Sequence, residues 1–340
     1  MSITIESQVK TDCHELIFPE QAQVKEVHAS TLVYLADGSV IASWFGGTKE
    51  GKDDVSIWIS RRVDGHWQTP RNIAKISDEP HWNPVLHVDA SNTIHLWFKV
   101  GKLIPQWRTY VMTSTDQGQT WTTPRELVTG DKGGRGPVKN KLIELTSGAW
   151  LAPASIEVGA TPSTETGEAK DAMWDAFVDR SEDRGQTWQR SELVPYDHAN
   201  TQGEGVIQPT LWESRPGMVH MLLRSGDGWI YRSDSVDDGR TWCKAYRTEL
   251  PNNNSGIDLA KLPDGTLALI YNPVGGNWGG RSPLTLSLSK NNGKTWVKQL
   301  DLQTVEGEFS YPAIIAIPNG LAITYTHDRK SISYWQGTCC

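Results

Sequence analysis

Short runs in which apolar and polar residues alternate follow one another along almost the whole chain. In the first of them, STLVYL (30–35) and VIASWF (40–45) flank Asp37-Gly38. The same layout recurs around Ser91-Asn92, Ser147-Gly148, Pro216-Gly217, Asp264-Gly265 and Asn319-Gly320. A period of two bounded by turn residues predicts hairpins of β-strands, and no segment carries a convincing helical period. Six turns of this kind predict six units.

A second series of turns lies between the first. The octapeptide Ser-x-Asp/Asn-x-Gly-x-Thr-Trp occurs as STDQGQTW (114–121), SEDRGQTW (181–188), SVDDGRTW (235–242) and SKNNGKTW (289–296), with a worn copy, RRVDGHW, ending at Trp67. Asp or Asn bonds nearby backbone N–H groups, Gly supplies a positive φ, and the Trp is expected to plug between neighbouring sheets. Each unit therefore reads as strand, turn, strand, longer loop (after VIASWF), strand (VSIWIS), octapeptide turn, strand. Four-stranded antiparallel sheets repeated in this way predict an all-β, six-bladed β-propeller, a single domain over 1–340. The sixth unit runs out of chain after SYPAIIAI, LAITYTH and SISYWQG. Its outer strand is expected from the N-terminal residues 1–20, as ITIESQV or HELIF, with 336–340 as a tail; closure of the ring would remove the open edges.

Composition narrows the function. The 340 residues hold 16 Trp and 31 Gly, and 33 Lys+Arg against 40 Asp+Glu leave a formal charge of -7. That balance argues against a nucleic-acid partner held by backbone electrostatics. No apolar run approaches the ~20 residues of a membrane span, and MSITIESQVK lacks the apolar core of a secretory signal, so a soluble, cytoplasmic protein is expected. Cys13, Cys243, Cys339 and Cys340 form neither a disulfide framework nor a zinc pattern. No metal or cofactor is expected, and the oligomeric state is open.

Strands of an antiparallel meander reverse direction, so the octapeptide turns share one face of the ring. The starts of the inner strands and the longer loops share the other. Loops on a rigid scaffold are where binding concentrates. That face collects His28, His81, Asn83, Lys139, Asn140, Glu204, Gln208, Asn254 and Tyr311 from the strand starts. Its loops add Glu50, Asp53, Asp54, Trp107, Arg108, Arg224, Trp278, Arg281 and 327–329. Polar and charged groups thus converge on one mouth.

The octapeptides are Asp boxes, and the six-unit layout resembles the sialidase (neuraminidase) superfamily, in particular bacterial BNR/Asp-box repeat sialidase-like proteins, from about His28 to Trp335. The resemblance implies a tyrosine nucleophile assisted by a glutamate, an aspartate acid/base and three arginines on the substrate carboxylate. GEFSYPAIIAIPNGLAITYT is similar to the nucleophile segment and gives that role to Tyr311. LLRS gives the second arginine to Arg224, and GGRSPLTLSLSKNNGKTW gives the third to Arg281. The acid/base falls to Asp54 or Glu50 of the first long loop. Where the family opens its first inner strand with Arg-Ile-Pro, this chain has His28-Ala29-Ser30, and Thr326 stands where a glutamate supports that arginine. Glu204 is the candidate for activating Tyr311, with Val206 or Gln208 nearer its place in a strict alignment.

The chemistry has its own logic. A sugar with a carboxylate on its anomeric carbon repels an anionic nucleophile, whereas a neutral phenol escapes that repulsion. Arginines match a carboxylate with planar paired donors. Three readings follow: a sialidase-like exo-glycosidase on a terminal acidic sugar; a lyase on a uronic acid, with His28 or His81 as base and Tyr as acid; and a non-catalytic glycan-binding propeller.

Overall fold

The inner strand of each blade is short and apolar because both of its faces are covered, one by the preceding blade and one by the next. We describe a computed structural model that covers residues 9–158, 161–162, 169–170 and 173–339. Six antiparallel blades follow in chain order, and Thr161–Pro162 pairs with Ala169–Lys170 as a separate two-stranded sheet. Blade I runs from Glu26–Tyr34 through Val40–Gly47 and Ser56–Val63 to His66–Trp67 and Arg71–Ala74. Blade II starts at His81–Val88, blade III at Ile143–Glu144, blade IV at Val206–Arg215, blade V at Asp258–Lys261 and blade VI at Phe309–Ile317. The six-bladed propeller expected from the repeats is the observed fold. The only helix among the described residues is one 3-10 turn at Ile104–Gln106.

The ring closes through Val9–Leu16, which pairs with Ser331–Cys339 from Val9↔Cys339 to Leu16↔Ser333. The closing strand therefore falls between the two expected segments, sharing Val9 with the first and His14–Leu16 with the second. Residues 3–8 lie outside the described ones. Gln336–Cys339 is a strand where a tail was expected. It is paired on both sides, with Gln336↔Ala322 and Val9↔Cys339, and backbone pairing needs no apolar alternation.

Indoles fill the spaces between and within blades. Trp44, Trp97, Trp150, Trp212 and Trp335 are the large fully buried ones. The octapeptide tryptophans pack between neighbouring blades as expected, Trp67 against Tyr334 of blade VI (ring centroids 5.2 Å apart) and Trp188 against Trp97 of blade II (6.4 Å), though only Trp242 is buried and the others are half-buried. They also lock the turn. Trp121, Trp188 and Trp242 each donate Nε1–H to the carbonyl of their own box glycine at 3.1 Å.

In each box the serine hydroxyl accepts the glycine N–H, at 2.9, 2.7, 2.9 and 2.9 Å for Gly118, Gly185, Gly239 and Gly293. The Asp or Asn side chain accepts the threonine N–H at 2.8 to 2.9 Å. Glycine is required where the turn meets the preceding blade. At Gly239 φ is +76° and an added Cβ would sit 2.6 Å from the Leu151 side chain.

The opposite ends of the inner strands share a different device. Between His28 and Thr31, Trp82 and Val85, Ile207 and Thr210, and Ser310 and Ala313, the inner strand advances three residues while its partner advances two. Each is a β-bulge, and each contains a non-glycine residue at positive φ: Ala29 (53°), Asn83 (40°), Gln208 (50°) and Tyr311 (50°). Bulges re-aim side chains at strand ends. Ala29 and Asn83 lie six residues before Leu35 and Asp89, which close the next turn; the residues six before Leu145 and Leu262, which close the turns of blades III and V, are Lys139 and Gly256. Ala29, Asn83, Lys139, Gln208, Gly256 and Tyr311 thus form one ring of equivalent positions around the axis.

Candidate active site

The bulge in blade VI lifts Tyr311 out of the apolar run that follows it, so its phenol reaches the mouth while Ile314 stays fully buried. The Tyr311 hydroxyl receives a hydrogen bond from Arg224 Nη1 at 2.5 Å and lies 3.5 Å from Gln208 Nε2. Arg224 sits at the end of the second strand of blade IV and is itself buried. Its Nε donates to Asn254 Oδ1 at 2.8 Å and its Nη1 to Gln208 Oε1 at 3.1 Å. Asn254 continues through Asn277 Oδ1 (2.5 Å), and Asn277 donates to Glu204 Oε2 (3.2 Å). The guanidinium carbon lies over the rings of Trp174 (5.3 Å) and Trp278 (5.7 Å), a stacking that suits a weakly hydrated cation.

A second cationic group lies near the phenol ring. The Arg281 guanidinium carbon is 5.6 Å from the Tyr311 ring, and its Nη1 donates to Glu308 Oε1 (2.6 Å) and Ser310 Oγ (3.2 Å). Its Nε and Nη2 donate to nothing among the described residues. Arg329, at φ 55° in the tight turn joining the second and third strands of blade VI, grips both Glu308 oxygens through Nε (2.9 and 3.1 Å) and Glu50 through Nη1. Burial opposes the charge on Arg329, but Glu50 and Glu308 outweigh it and push its pKa up. Burial likewise favours the neutral form of Glu308, which the two arginines nonetheless hold below its ordinary pKa.

His28 stacks on Tyr311 with ring centroids 4.2 Å apart, and its Nδ1 bonds the Thr326 hydroxyl at 2.9 Å. Burial, then the charges of Arg329, Arg281, Lys139 and Arg224, hold its pKa well below 6.5. His28 is therefore neutral at neutral pH, and its Nε2 has no hydrogen-bond partner among the described residues. The His28–Thr326 pair stands where the resembled family has an arginine and its glutamate.

A cavity of about 380 Å³ opens above Tyr311, Arg224 and Gln208; Arg281, His28, Glu308 and Arg329 are not part of its lining. Tyr311, Arg224 and Gln208 form its floor, Glu50, Glu157 and Glu204 contribute carboxyl groups, and Trp82, Trp107, Trp174 and Trp278 give it aromatic walls. Trp278 is 48% exposed and presents its indole to solvent. Asn83 reaches the same lining from its own bulge.

Other expected site residues lie elsewhere, for identifiable reasons. Asp54 is exposed and is tied back to the Thr48 N–H (2.9 Å) and hydroxyl, so Glu50 is the acid of that loop that faces the cavity. His81 is fully buried against Phe98; its Nε2 accepts Ile76 N–H (3.0 Å) and its Nδ1 bonds Glu79 O (2.9 Å). Burial lowers its pKa to about 4, and both nitrogens are used, which removes it as a base. Arg108 pairs with Glu79 beside Tyr110, away from the lining. Asn140 spends its amide on Gln208 O and Pro209 O, both at 3.0 Å, and Asn254 acts on Arg224 from beneath. Lys139 is buried below Tyr311, its Nζ 5.9 Å from the ring centroid.

Sequence reasoning did not single out Trp174, Asn277, Glu157 or Glu308, and it placed Arg329 on the mouth face without giving it a role. Arg329 carried one local signal, an Asp-Arg pair in the short turn THDRKS on the mouth face. No group of three or more His, Cys, Asp or Glu side chains suited to a metal exists among the described residues.

Residues 38–323 match the model of the BNR repeat-like domain family. The chain belongs to that family. Among solved structures, this BNR repeat-like propeller is similar to the Hadza microbial sialidase Hz136, at 20% identity and a TM-score of 0.74, over 93% of this chain and 66% of that one. It is similar to a protein of unknown function from Dyadobacter fermentans at 16% identity and a TM-score of 0.78, over 98% of this chain and 100% of that one. The Trypanosoma rangeli sialidase in complex with the inhibitor DANA gives 14% identity and a TM-score of 0.69, over 92% of this chain and 55% of that one. The chain thus spans under two thirds of those two sialidases. Such identities establish a shared fold, a sialidase-like propeller. No curated protein sequence matches the chain.

Proposed function

We propose that this propeller is a glycosidase that removes a terminal acidic sugar, with Tyr311 as nucleophile. The observation that carries the reading is the Tyr311 phenol on the floor of a walled cavity, 2.5 Å from Arg224 Nη1, with the Arg281 guanidinium carbon 5.6 Å from its ring. The free donors of Arg281, together with Arg224, offer a carboxylate paired hydrogen bonds. The phenol then meets the anomeric carbon of that sugar as a neutral group and passes its proton to the Glu204 carboxylate of the same lining as the bond forms, while the Arg224 donor stabilises the negative charge that develops on its oxygen. Glu50 donates the proton to the leaving oxygen, and water then displaces Tyr311 to release the sugar. Replacing Tyr311 by Phe should lower turnover of sialosides about 10³-fold or more while binding of an acidic sugar survives. Unchanged turnover in that variant would refute the assignment.

One observation favours a second reading, a lyase acting on a uronic acid. The group beside the phenol oxygen is the Gln208 amide, which takes up no proton, while neutral His28 packs on the phenol ring. In that reaction Arg281 neutralises the carboxylate, His28 removes the α-proton and Tyr311 protonates the departing oxygen. An unsaturated product absorbing in the ultraviolet, lost in His28→Ala, would select it over hydrolysis.

A further inference from the structure

Lys139 occupies the ring position of blade III, and its side chain crosses the axis. Its Nζ donates to Asn140 Oδ1 (2.9 Å) from its own blade, to Ile257 O (3.1 Å) of blade V and to Pro312 O of blade VI. Room for it depends on Gly256, where an added Cβ would lie 3.0 Å from Lys139 Cε and 3.4 Å from Tyr311 Cγ. Three acceptors match the three hydrogens of an ammonium group; a neutral amine has two, and would leave one oxygen facing a lone pair. The third acceptor is the carbonyl that follows the Tyr311 bulge. Deprotonation of Lys139 therefore loosens the turn that aims the phenol.

This cation has no carboxylate at ion-pair distance among the described residues. Asp258 of blade V is the anion near it, but Asp258 Oδ2 is engaged by Lys141 Nζ (2.8 Å) and Ile314 N–H (3.0 Å), and its Oδ1 by Thr210 (2.8 Å). The remaining charged or titratable groups that face Lys139 are Arg224 from blade IV, His28 from blade I, Tyr311 from blade VI and Lys141, two residues further along the chain. None of them supplies a negative charge to it. Burial, set against the attraction of Asp258 and joined by the repulsion of Lys141 and Arg224, lowers its pKa to about 7. An anion bound above Tyr311 would supply the missing counter-charge.

We propose that Lys139 is a positioning residue for Tyr311 whose buried ammonium takes its counter-ion from the ligand, so that binding of an anionic sugar is coupled to uptake of a proton. The proposal rests on the acidic-sugar reading of the same cavity. It is tested by titration calorimetry of the whole protein with N-acetylneuraminic acid and with glucuronic acid, in buffers of different ionisation enthalpy. Above pH ~7 the dissociation constant of whichever sugar binds should rise by about tenfold per pH unit, with proton uptake approaching one, and Lys139→Met should abolish both dependences. Binding with no proton uptake overturns the coupling but leaves the acidic-sugar reading standing.

If neither sugar binds, the acidic-sugar reading falls and the unliganded protein decides the rest. A lysine whose folded pKa is depressed adds stability as pH rises through that pKa toward its unfolded value. The urea midpoint of the wild type minus that of Lys139→Met should therefore increase between about pH 6 and about pH 9. A difference that does not change with pH overturns the proposal.

Discussion

The two faces of this ring repeat in opposite ways. On the Asp-box face, four turns repeat both the residues and the bonds, with serine to glycine N–H distances of 2.7 to 2.9 Å. At the mouth, four blades repeat only a backbone event, a bulge with positive φ, while the residue in it changes from Ala29 to Asn83 to Gln208 to Tyr311. The difference follows from what holds each conformation. An Asp-box turn is made by its own side chains, so its sequence cannot drift far. A bulge at positive φ costs roughly 1–3 kcal/mol for a non-glycine residue and is over-determined by the paired strands around it. Its side chain is left free for chemistry. Structure thus resides in one face and specificity in the other.

The sharpest way to break that comparison is to exchange one residue on each face. Tyr311→Phe should remove at least about 10³-fold of turnover and leave the thermal midpoint nearly unchanged, measured by sialoside hydrolysis and calorimetry. Trp242→Ala should do the reverse: loss of a buried indole and of its bond to Gly239 O is expected to destabilise by about 3–5 kcal/mol in urea unfolding. Acidic-sugar affinity at the mouth should be kept while the protein stays folded.

Smaller effects sharpen the picture within each face. Arg224→Met removes the donor to Tyr311 and should weaken binding of an acidic sugar by about 2–3 kcal/mol, read by calorimetry. Within the first long loop, Glu50→Gln should cut turnover at least tenfold, whereas Asp54→Asn, which alters a loop tie to Thr48, should leave it within twofold.

The weakest effect separates the boxes themselves. The Thr120 hydroxyl and then its N–H hold Asp116 at about 2, and Thr187 does the same for Asp183. Carboxylates depressed in the folded state stabilise above their unfolded pKa of about 3.9, and this stabilisation is lost as pH falls through about 2. Asn291→Asp in the fourth box should therefore make stability between pH ~4 and ~2 slightly more acid-sensitive than in the wild type, as urea midpoints would show.

The same asymmetry explains what the sequence reveals. Six blades and their order were legible because the turn residues are the cause of the turns. Tyr311 and Gln208 were legible because strand starts on the mouth face can be counted, and Arg224 because the end of a second strand falls on the same face. Which acid faces the cavity was not: Glu50 and Asp54 are four residues apart, and only the tie of Asp54 to Thr48 turns it away. Arg329 was legible as a mouth-face residue but its role was not, since that comes from Glu50, 279 positions away. His81 misled for a related reason. It opens an inner strand just as His28 does, but Glu79 and Ile76 occupy both of its nitrogens. The octapeptide tryptophans were legible as plugs between blades, because the turn that carries each one fixes where its indole falls.

Closure of the ring by Val9–Leu16 against Ser331–Cys339 carries a consequence for synthesis. During translation Val9–Leu16 has no neighbour to join until Ser331–Cys339 has left the ribosome. Five blades can assemble as they emerge, but the sixth waits for both of these distant segments. The Tyr311 bulge lies in that sixth blade, so the floor of the cavity is completed after the other five blades have emerged.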